Sequence, residues 1–139
     1  MTVIDATNLI LGRMATEVAK RALLGETIDI VNVEKIVITG NRLSIFADYK
    51  HRRDRGSQTS GPFFPKNPDD IVRRAIRGML PYKQAKGDLA FKRVRCFIGV
   101  PNEMEKAKLE TIKQANISGL GTSKYVPIGE IGSYLGGKR

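Results

Sequence analysis

Residues 27–39 read Thr-Ile-Asp-Ile-Val-Asn-Val-Glu-Lys-Ile-Val-Ile-Thr, and this stretch indicates the class of fold. Its two halves, 27–33 and 36–39, are rich in Val and Ile without a strict alternation of apolar and polar residues. Runs of this kind are typical of strands that are covered on both faces, as in parallel sheets. The stretch therefore predicts two strands in the interior of the protein.

Helical patterns alternate with strand patterns on both sides of this stretch. A short strand at 2–5 precedes a helix from about Gly12 to Leu24, in which Met14, Val18 and Ala22 recur at intervals of four residues. Further helices are predicted at 42–52, 88–93 and 127–135, and one more is predicted to begin at Asn67-Pro68-Asp69-Asp70. A further strand is predicted at 95–100. This alternation predicts a small α/β domain with a largely parallel sheet. The length of 139 residues corresponds to about one domain, residues 1–139.

Two segments have no clear periodic pattern. Residues 54–67 form a long loop, and loops of this length inside a compact domain are usually functional or disordered. We expect this loop to become ordered when it binds a partner. Residues 103–116 have a helical composition but poor periodicity, and a Gly-Ser loop follows at 118–124.

The positive charge of the chain is concentrated in its middle third. Fourteen of the 24 Lys and Arg residues lie between Arg42 and Arg95 against five acidic residues, a formal net charge of +9. The flanking segments 1–41 and 96–139 carry −1 and +2. Like charges that are crowded together destabilise a folded protein unless a polyanion neutralises them. The pattern therefore predicts binding to RNA or DNA. An anionic membrane is a weaker alternative, because neither an amphipathic basic helix with bulky apolar residues nor a lipidation signal is present.

The chain offers no convincing set of catalytic or metal-binding residues. His51 is the only histidine and lies among basic residues, and Cys96 is the only cysteine. Asp69 and Asp70 are better explained by the first turn of a helix than as a catalytic carboxylate pair. Leu11-Gly12-Arg13 lies where a nucleotide-binding loop would lie but lacks the Gly-Lys-Ser/Thr signature. We therefore predict no enzymatic activity, cofactor, metal or small-molecule substrate. We also expect no membrane span and no secretory leader.

The candidate contacts to a nucleic acid are the basic residues of the middle third and the turn residues beside them. They are Lys50, His51, Arg52, Arg53, Arg55, Lys66, Arg73, Arg74, Arg77, Gly78, Pro81, Lys83, Lys86, Lys92 and Arg93. The alternative for each cation is a solvated helix face. Phe63, Phe64 and Tyr82 can stack on unpaired bases. For the two phenylalanines, packing against the protein's own core is the favoured alternative.

Several runs of sequence resemble one known family. Residues 76–87 read Ile-Arg-Gly-Met-Leu-Pro-Tyr-Lys-Gln-Ala-Lys-Gly, and residues 89–101 read Leu-Ala-Phe-Lys-Arg-Val-Arg-Cys-Phe-Ile-Gly-Val-Pro. These runs, with Leu-Gly-Arg-Met-Ala at 11–15 and Tyr-Lys-His-Arg at 49–52, resemble the universal large-subunit ribosomal protein L-thirteen family in its archaeal form. The resemblance extends over nearly the whole chain.

The resemblance implies both a fold and a function. The implied fold is a three-layer α/β/α domain with a four-stranded sheet. The implied function is structural: the protein would be a constituent of the large ribosomal subunit in the cytoplasm. It would contact ribosomal RNA and neighbouring ribosomal proteins early in assembly. We do not expect it to form a homo-oligomer. Two other classes remain as alternatives: an enzyme that binds a nucleotide on an α/β scaffold, and a duplex-DNA binder, which would need a groove-reading helix.

Overall fold

The structure, a computed structural model of the chain, describes residues 1–121 and 123–137. In this part of the chain the strands are β1 (Thr2–Asp5), β2 (Ile28–Val31), β3 (Val37–Thr39), β4 (Val94–Cys96), β5 (Leu109–Glu110) and β6 (Tyr125–Pro127). The α-helices are α1 (Leu11–Leu23), α2 (Arg42–Asp54), α3 (Pro68–Gly78), α4 (Ala85–Lys92) and α5 (Ile128–Tyr134). Short 3-10 helices lie at Val33–Lys35, Asn102–Met104, Lys113–Ala115 and Ile117–Gly119.

The main sheet has four strands in the order β4-β2-β1-β5, and all of its pairings are parallel. Ile30 of β2 lies in register with Ile4 on one side and Cys96 on the other. All four residues of β2 are buried, because this strand has a neighbour on each side and a covering layer on each face. The prediction of an α/β fold with a four-stranded parallel sheet is confirmed.

One face of the sheet carries the larger core. Ile4, Ile28 and Ile30 belong to the same buried cluster as Met14 and Val18 of α1, and α3 and α4 pack against α1 and β4. The small residues that alternate along α1 let this helix approach its neighbours closely. The opposite face is covered more thinly, by the segment that contains the 3-10 helix Asn102–Met104. Here Val3 and Val31 pack against Met104.

A second sheet was not predicted. β3 lies outside the main sheet and pairs antiparallel with β6 near the end of the described chain, with Ile38 opposite Val126. Asn32 causes the departure, because it takes a left-handed conformation (φ 57°) directly after β2 and the 3-10 helix Val33–Lys35 then turns the chain. Residues 36–39 therefore form a strand, as predicted, but its last residue Thr39 is exposed.

Two further segments depart from what their local composition or spacing suggests. Residues 103–116 form no α-helix; they contain the end of one 3-10 helix, the two-residue strand β5 and a second 3-10 helix. On α2, Leu43, Phe46 and Tyr49 are spaced by three residues, yet Leu43 is 79% exposed and only Tyr49 is buried. Tertiary pairing decides the first case, since β5 depends on a neighbour, β1, at the opposite end of the chain.

Candidate nucleic-acid interface

The basic end of α2 begins the candidate surface. The helix starts at Asn41, whose side chain accepts a hydrogen bond from the Leu43 amide at 2.9 Å. Its last two turns include Lys50, His51 and Arg52, all of which are exposed. Arg52 pairs with Asp48 at 3.0 Å on the helix surface. An exposed pair of this kind contributes little stability, so it leaves the Arg52 guanidinium able to exchange its partner.

A closed turn follows in the long loop. The backbone amides of Ser57 and Gly61 each donate to the carbonyl of the other at 3.1 Å, and we call residues 57–61 the hairpin. The Ser57 hydroxyl also accepts from the amides of Thr59 and Ser60. Gly56 has a positive φ of 84°, and a Cβ there would lie 2.2 Å from the Gly61 carbonyl oxygen. These hydrogen bonds close one turn within the loop, and the ordering of the loop on binding stays a prediction.

Helix α3 supplies the second group of arginines. Pro68, Asp69 and Asp70 occupy its first turn, as predicted, where the acidic side chains complement the positive end of the helix dipole. Ile71, Val72 and Ile76 are buried, and this places Arg73, Arg74 and Arg77 on the outer side of the helix.

Two of these arginines lie over aromatic rings of the chain. The Arg73 guanidinium is 4.3 Å from the centroid of the Phe91 ring, and that of Arg77 is 4.5 Å from the centroid of Tyr82. A guanidinium that stacks on a ring keeps the N–H groups in its plane available for hydrogen bonding. The rings therefore hold both cations in place before any ligand binds, which reduces the entropy lost on binding.

Two clefts share one aromatic ring, that of Phe63, and are lined by the arginines of the loop and of α3. The first, the hairpin cleft, has a volume of about 390 Å³ and is lined by Arg53, Asp54, Arg55, Gly56, Ser57, Gln58, Pro62 and Phe63. The second, the α3 cleft, has a volume of about 300 Å³ and is lined by Phe63, Pro65, Asp70, Arg73, Arg74, Arg77 and Phe91. Phe63 lines both clefts and is 62% exposed. The prediction that the two phenylalanines pack against the core is therefore wrong for Phe63. It is confirmed for Phe64, which is half-buried beside Tyr49.

The arginines of the two clefts are largely without acidic partners. Among the described residues, no carboxylate oxygen lies within 4.0 Å of the guanidinium nitrogens of Arg53, Arg55, Arg73, Arg74 or Arg77. Arg53 donates instead to the carbonyl of Phe64 at 3.1 Å, which ties the end of α2 to the loop. The clefts therefore carry net positive charge that the protein itself does not neutralise.

The turn between α3 and α4 extends this surface. Gly87, in the first turn of α4, packs so tightly that a Cβ would lie 2.0 Å from the Pro81 carbonyl oxygen. This contact folds residues 81–87 back on themselves and leaves Lys83 and Lys86 exposed. Gly78 differs, because a Cβ at this exposed position would meet no described atom within 4 Å beyond its own helix backbone.

Five of the fifteen predicted contacts line the clefts, and three of the other ten have contacts elsewhere in the chain. The backbone of Lys66 lies against Gly132 of α5. Lys92 forms an exposed pair with Asp88 at 3.1 Å. Arg93 donates to the carbonyl of Ala22 at 3.0 Å and so satisfies one of the last carbonyls of α1. These side chains are not brought to Phe63, and Arg93 has a structural contact of its own.

Other features of the site were not visible in the sequence. Arg95 pairs with the buried Asp29, and this follows only from the register of β2 with β4. The pKa of Cys96 is raised to about 12 by burial, so its thiol is not a nucleophile at neutral pH. In the described part of the chain, no group of three or more His, Cys, Asp or Glu side chains is placed to hold a metal ion.

None of the helices in the described residues is both long enough and apolar enough to span a membrane.

Comparison with known proteins adds an independent finding. Residues 1–103 match the family model described as Ribosomal protein L13. Relatives named "Large ribosomal subunit protein uL13" include one from Methanosarcina barkeri, 50% identical over 139 residues, with 99% of each chain covered. Another, from Methanocaldococcus jannaschii, is 47% identical with 99% of each chain covered. The relative from Archaeoglobus fulgidus is 47% identical over 97% of this chain and 87% of its own.

Proposed function

Because this chain belongs to the ribosomal protein L13 family, we propose that it is a non-enzymatic constituent of the large ribosomal subunit that binds ribosomal RNA. The observation that carries the RNA-binding proposal is the pair of clefts that share Phe63. Five arginines without acidic partners among the described residues line them. The sequence-based alternative of a nucleotide-binding enzyme gains no support from the site.

The proposed mechanism is electrostatic and positional. Phosphates of separate RNA segments repel one another, and cations between them lower the free energy of bringing the segments together. Arg73 and Arg77 are already held over Phe91 and Tyr82, so they present fixed donors rather than flexible side chains. Arg73 Nε also donates to the Val94 carbonyl at 3.4 Å, so its terminal N–H groups are the ones left for a phosphate. Arginine suits this role because its planar group can donate two parallel hydrogen bonds to one phosphate. The protein would contact mainly the sugar-phosphate backbone of the RNA and would recognise the shape of the RNA, since the deep groove of A-form RNA hides its base edges.

The proposed contact set keeps all of the sequence candidates but ranks them by position. We assign the central role to Arg53, Arg55, Arg73, Arg74 and Arg77. The other candidates extend the surface: Lys50, His51, Arg52, Gly78, Lys83, Lys86 and Lys92 are exposed, and Pro81 is half-buried. Lys66 and Arg93 are peripheral. We further propose that residues 1–139 act as one domain and one copy, in contact with neighbouring ribosomal proteins, and join the cytoplasmic subunit early in its assembly.

A pair of charge-matched variants tests the proposal. In the first, Arg55, Arg74 and Lys83 become Glu; all three are exposed, Arg55 and Arg74 line the clefts, and Lys83 lies in the turn after α3. In the second, Lys106, Lys108 and Lys113 become Glu; they are equally exposed but lie outside the middle third. The two variants have the same net charge. Binding to purified large-subunit RNA is measured at several salt concentrations, together with co-sedimentation with large subunits in cell lysate.

We expect the first variant to lose affinity and to leave the subunit fraction in a high-salt wash, while the second behaves as the wild type. The slope of log affinity against log salt should also fall, by about 0.7 to 0.9 for each phosphate contact removed. Equal behaviour of the two variants would show that the clefts are not the contact surface. Failure of the wild-type chain to co-sediment with large subunits would remove the ribosomal proposal itself.

A further inference from the structure

We infer that Phe63 is a stacking platform for one unpaired RNA base, with the phosphates on either side of that base bound by the arginines of the two clefts. This inference rests on the proposed function and specifies its ligand. It concerns an aromatic ring that the electrostatic mechanism leaves unused.

The first support is the unusual exposure of the ring. Phe63 is 62% exposed, whereas its neighbour Phe64 packs edge-on to Tyr49 with the ring centroids 6.0 Å apart. Exposing a large apolar ring in water forfeits the free energy that its burial would provide. The adjacent position shows that the chain can bury a phenylalanine here. The exposed ring is therefore available to a ligand rather than to the core.

The second support is the way in which the ring is held. A Cβ at Gly61 would lie 3.2 Å from the Phe63 ring, so the ring lies close to the backbone of the hairpin. The hairpin is in turn closed by the two hydrogen bonds between Ser57 and Gly61. A ring that is held in this way loses little freedom when a base stacks on it.

The third support is charge on both sides of the ring. The hairpin cleft places Arg53 and Arg55 on one side, and the α3 cleft places Arg74 and Arg77 on the other. A nucleotide whose base stacks on Phe63 would therefore have cations within reach of both flanking phosphates. An apolar protein segment would not account for this concentration of positive charge.

The ligand must be unpaired, because bases inside a duplex are stacked on each other and present only their edges. Stacking on an aromatic side chain tolerates any base, since every base has a π-face. The site thus predicts a preference for single-stranded or looped RNA, with little dependence on base identity.

The test uses the full chain and two labelled probes, a ten-nucleotide oligoadenylate and a blunt ten-base-pair RNA duplex. Their fluorescence anisotropy is measured with the wild type and with Phe63→Ala, Phe63→Leu and Phe63→Tyr. Tyr125→Leu removes another exposed aromatic ring, one that lies outside the clefts, and serves as the control. Since Phe63 is exposed, thermal melting of these variants should stay at the wild-type temperature.

We expect Phe63→Ala and Phe63→Leu to bind the oligoadenylate about tenfold more weakly and the duplex unchanged. Phe63→Tyr should bind both probes within about twofold of wild type, as should Tyr125→Leu. The inference is overturned if Phe63→Leu binds the oligoadenylate like the wild type, if both probes lose affinity equally, or if the wild type does not prefer the single strand.

The outcome is separable from that of the proposed function. If Phe63→Leu changes nothing while the Arg55, Arg74 and Lys83 variant still leaves the subunit, the stacking site is wrong and the RNA-binding surface stands. If Phe63→Leu impairs incorporation into subunits without affecting the oligoadenylate, the ring contacts a protein neighbour and the base-stacking inference is also wrong.

Discussion

Arg95 donates from Nε and Nη2 to the two carboxylate oxygens of Asp29, each at 2.8 Å, across adjacent strands of the main sheet. Asp29 is fully buried, whereas the Arg95 side chain is about half exposed. The two hydrogen bonds raise the pKa of Arg95 above its usual value. The pair thus anchors β4, the edge strand, to β2 on the thinly covered face of the sheet.

Removing Arg95 should leave a buried carboxylate without its donor. We predict that Arg95→Met lowers the free energy of unfolding by about 1–3 kcal/mol, a range that reflects a charged acceptor left unsatisfied and the partial solvent exposure of the pair. Chemical denaturation measures the change. In the double variant Asp29→Leu, Arg95→Met, most of the loss should be recovered. If the double variant is less stable than Arg95→Met alone, the buried charge is not the cause.

Gly87 and Gly78 should respond in opposite ways to substitution by alanine. A methyl group at Gly87 would lie 2.0 Å from the Pro81 carbonyl oxygen, so Gly87→Ala requires the backbone to move and should destabilise the protein by about 1–3 kcal/mol. Gly78 is exposed in the last turn of α3 with free space around it. Gly78→Ala should therefore raise the stability by up to about 1 kcal/mol through helix propensity. Thermal melting of both variants distinguishes the two cases.

Gly78→Ala also separates a structural role from a binding role. Since the described chain gives no packing reason for a glycine at this position, we predict that the stabilised variant binds large-subunit RNA more weakly than the wild type. The same salt titration that is used for the charge-reversal variants measures the affinity. Unchanged affinity would indicate that RNA does not approach the backbone at the end of α3.

Much of the fold could be predicted from local signals. The helix expected at 12–24 is found at Leu11–Leu23, because its apolar residues recur with helical spacing. The start of α3 was marked by Pro68 and the acidic residues of its first turn. What was missed depends on residues that are distant in sequence. β5 exists because Val3 pairs with Leu109, and no local pattern around residue 109 reveals this.

The candidate site was predicted in composition but not in arrangement. Charge alone selected the arginines, yet it did not separate Arg93, which binds the Ala22 carbonyl, from Arg74, which is exposed. Nor did it separate Phe63 from Phe64, since both rings lie in the same apolar run. Which side of a loop faces the core is set by the hairpin, and that depends on backbone hydrogen bonds that the sequence does not display.

The Cys96 thiol should be nearly inert in the folded protein. Burial raises its pKa from 9.0 to about 12, so at pH 8 the reactive thiolate is about a thousandfold scarcer than for an unperturbed cysteine. We predict that iodoacetamide labels Cys96 slowly in buffer and rapidly in denaturant. Mass spectrometry follows the reaction. Fast labelling of the native chain would contradict the raised pKa of Cys96.

Asp5 should contribute to the pH dependence of stability in acid. Burial alone would raise its pKa, but hydrogen bonds from Thr7 and Asn32 and the charge of Lys35 outweigh that effect and lower the pKa below 3.8. The ionised form is therefore favoured by folding. Its stabilisation is present above the unfolded-state pKa and is lost as the pH falls through the lower, folded-state value.

The variant Asp5→Asn tests this assignment. Below about pH 5, the free energy of unfolding of the wild type should fall more steeply with decreasing pH than that of Asp5→Asn, because the variant has no proton to gain at this position. Urea denaturation at a series of pH values measures both slopes. Identical slopes would mean that the Asp5 carboxyl ionises equally in the folded and unfolded chains.

The pairing of β1 with β5, and of β3 with β6, has a consequence for how a newly made copy matures. Both partners of the early strands, Leu109 and Val126, lie far towards the carboxyl end, so neither pairing can form until most of the chain has left the ribosome that translates it. Until these pairings form, the nascent chain therefore exposes its basic middle third to ribosomal RNA, the class of polymer that we propose it binds. The synthesis of β5 and β6 thus sets the earliest moment at which a correctly shaped copy can exist.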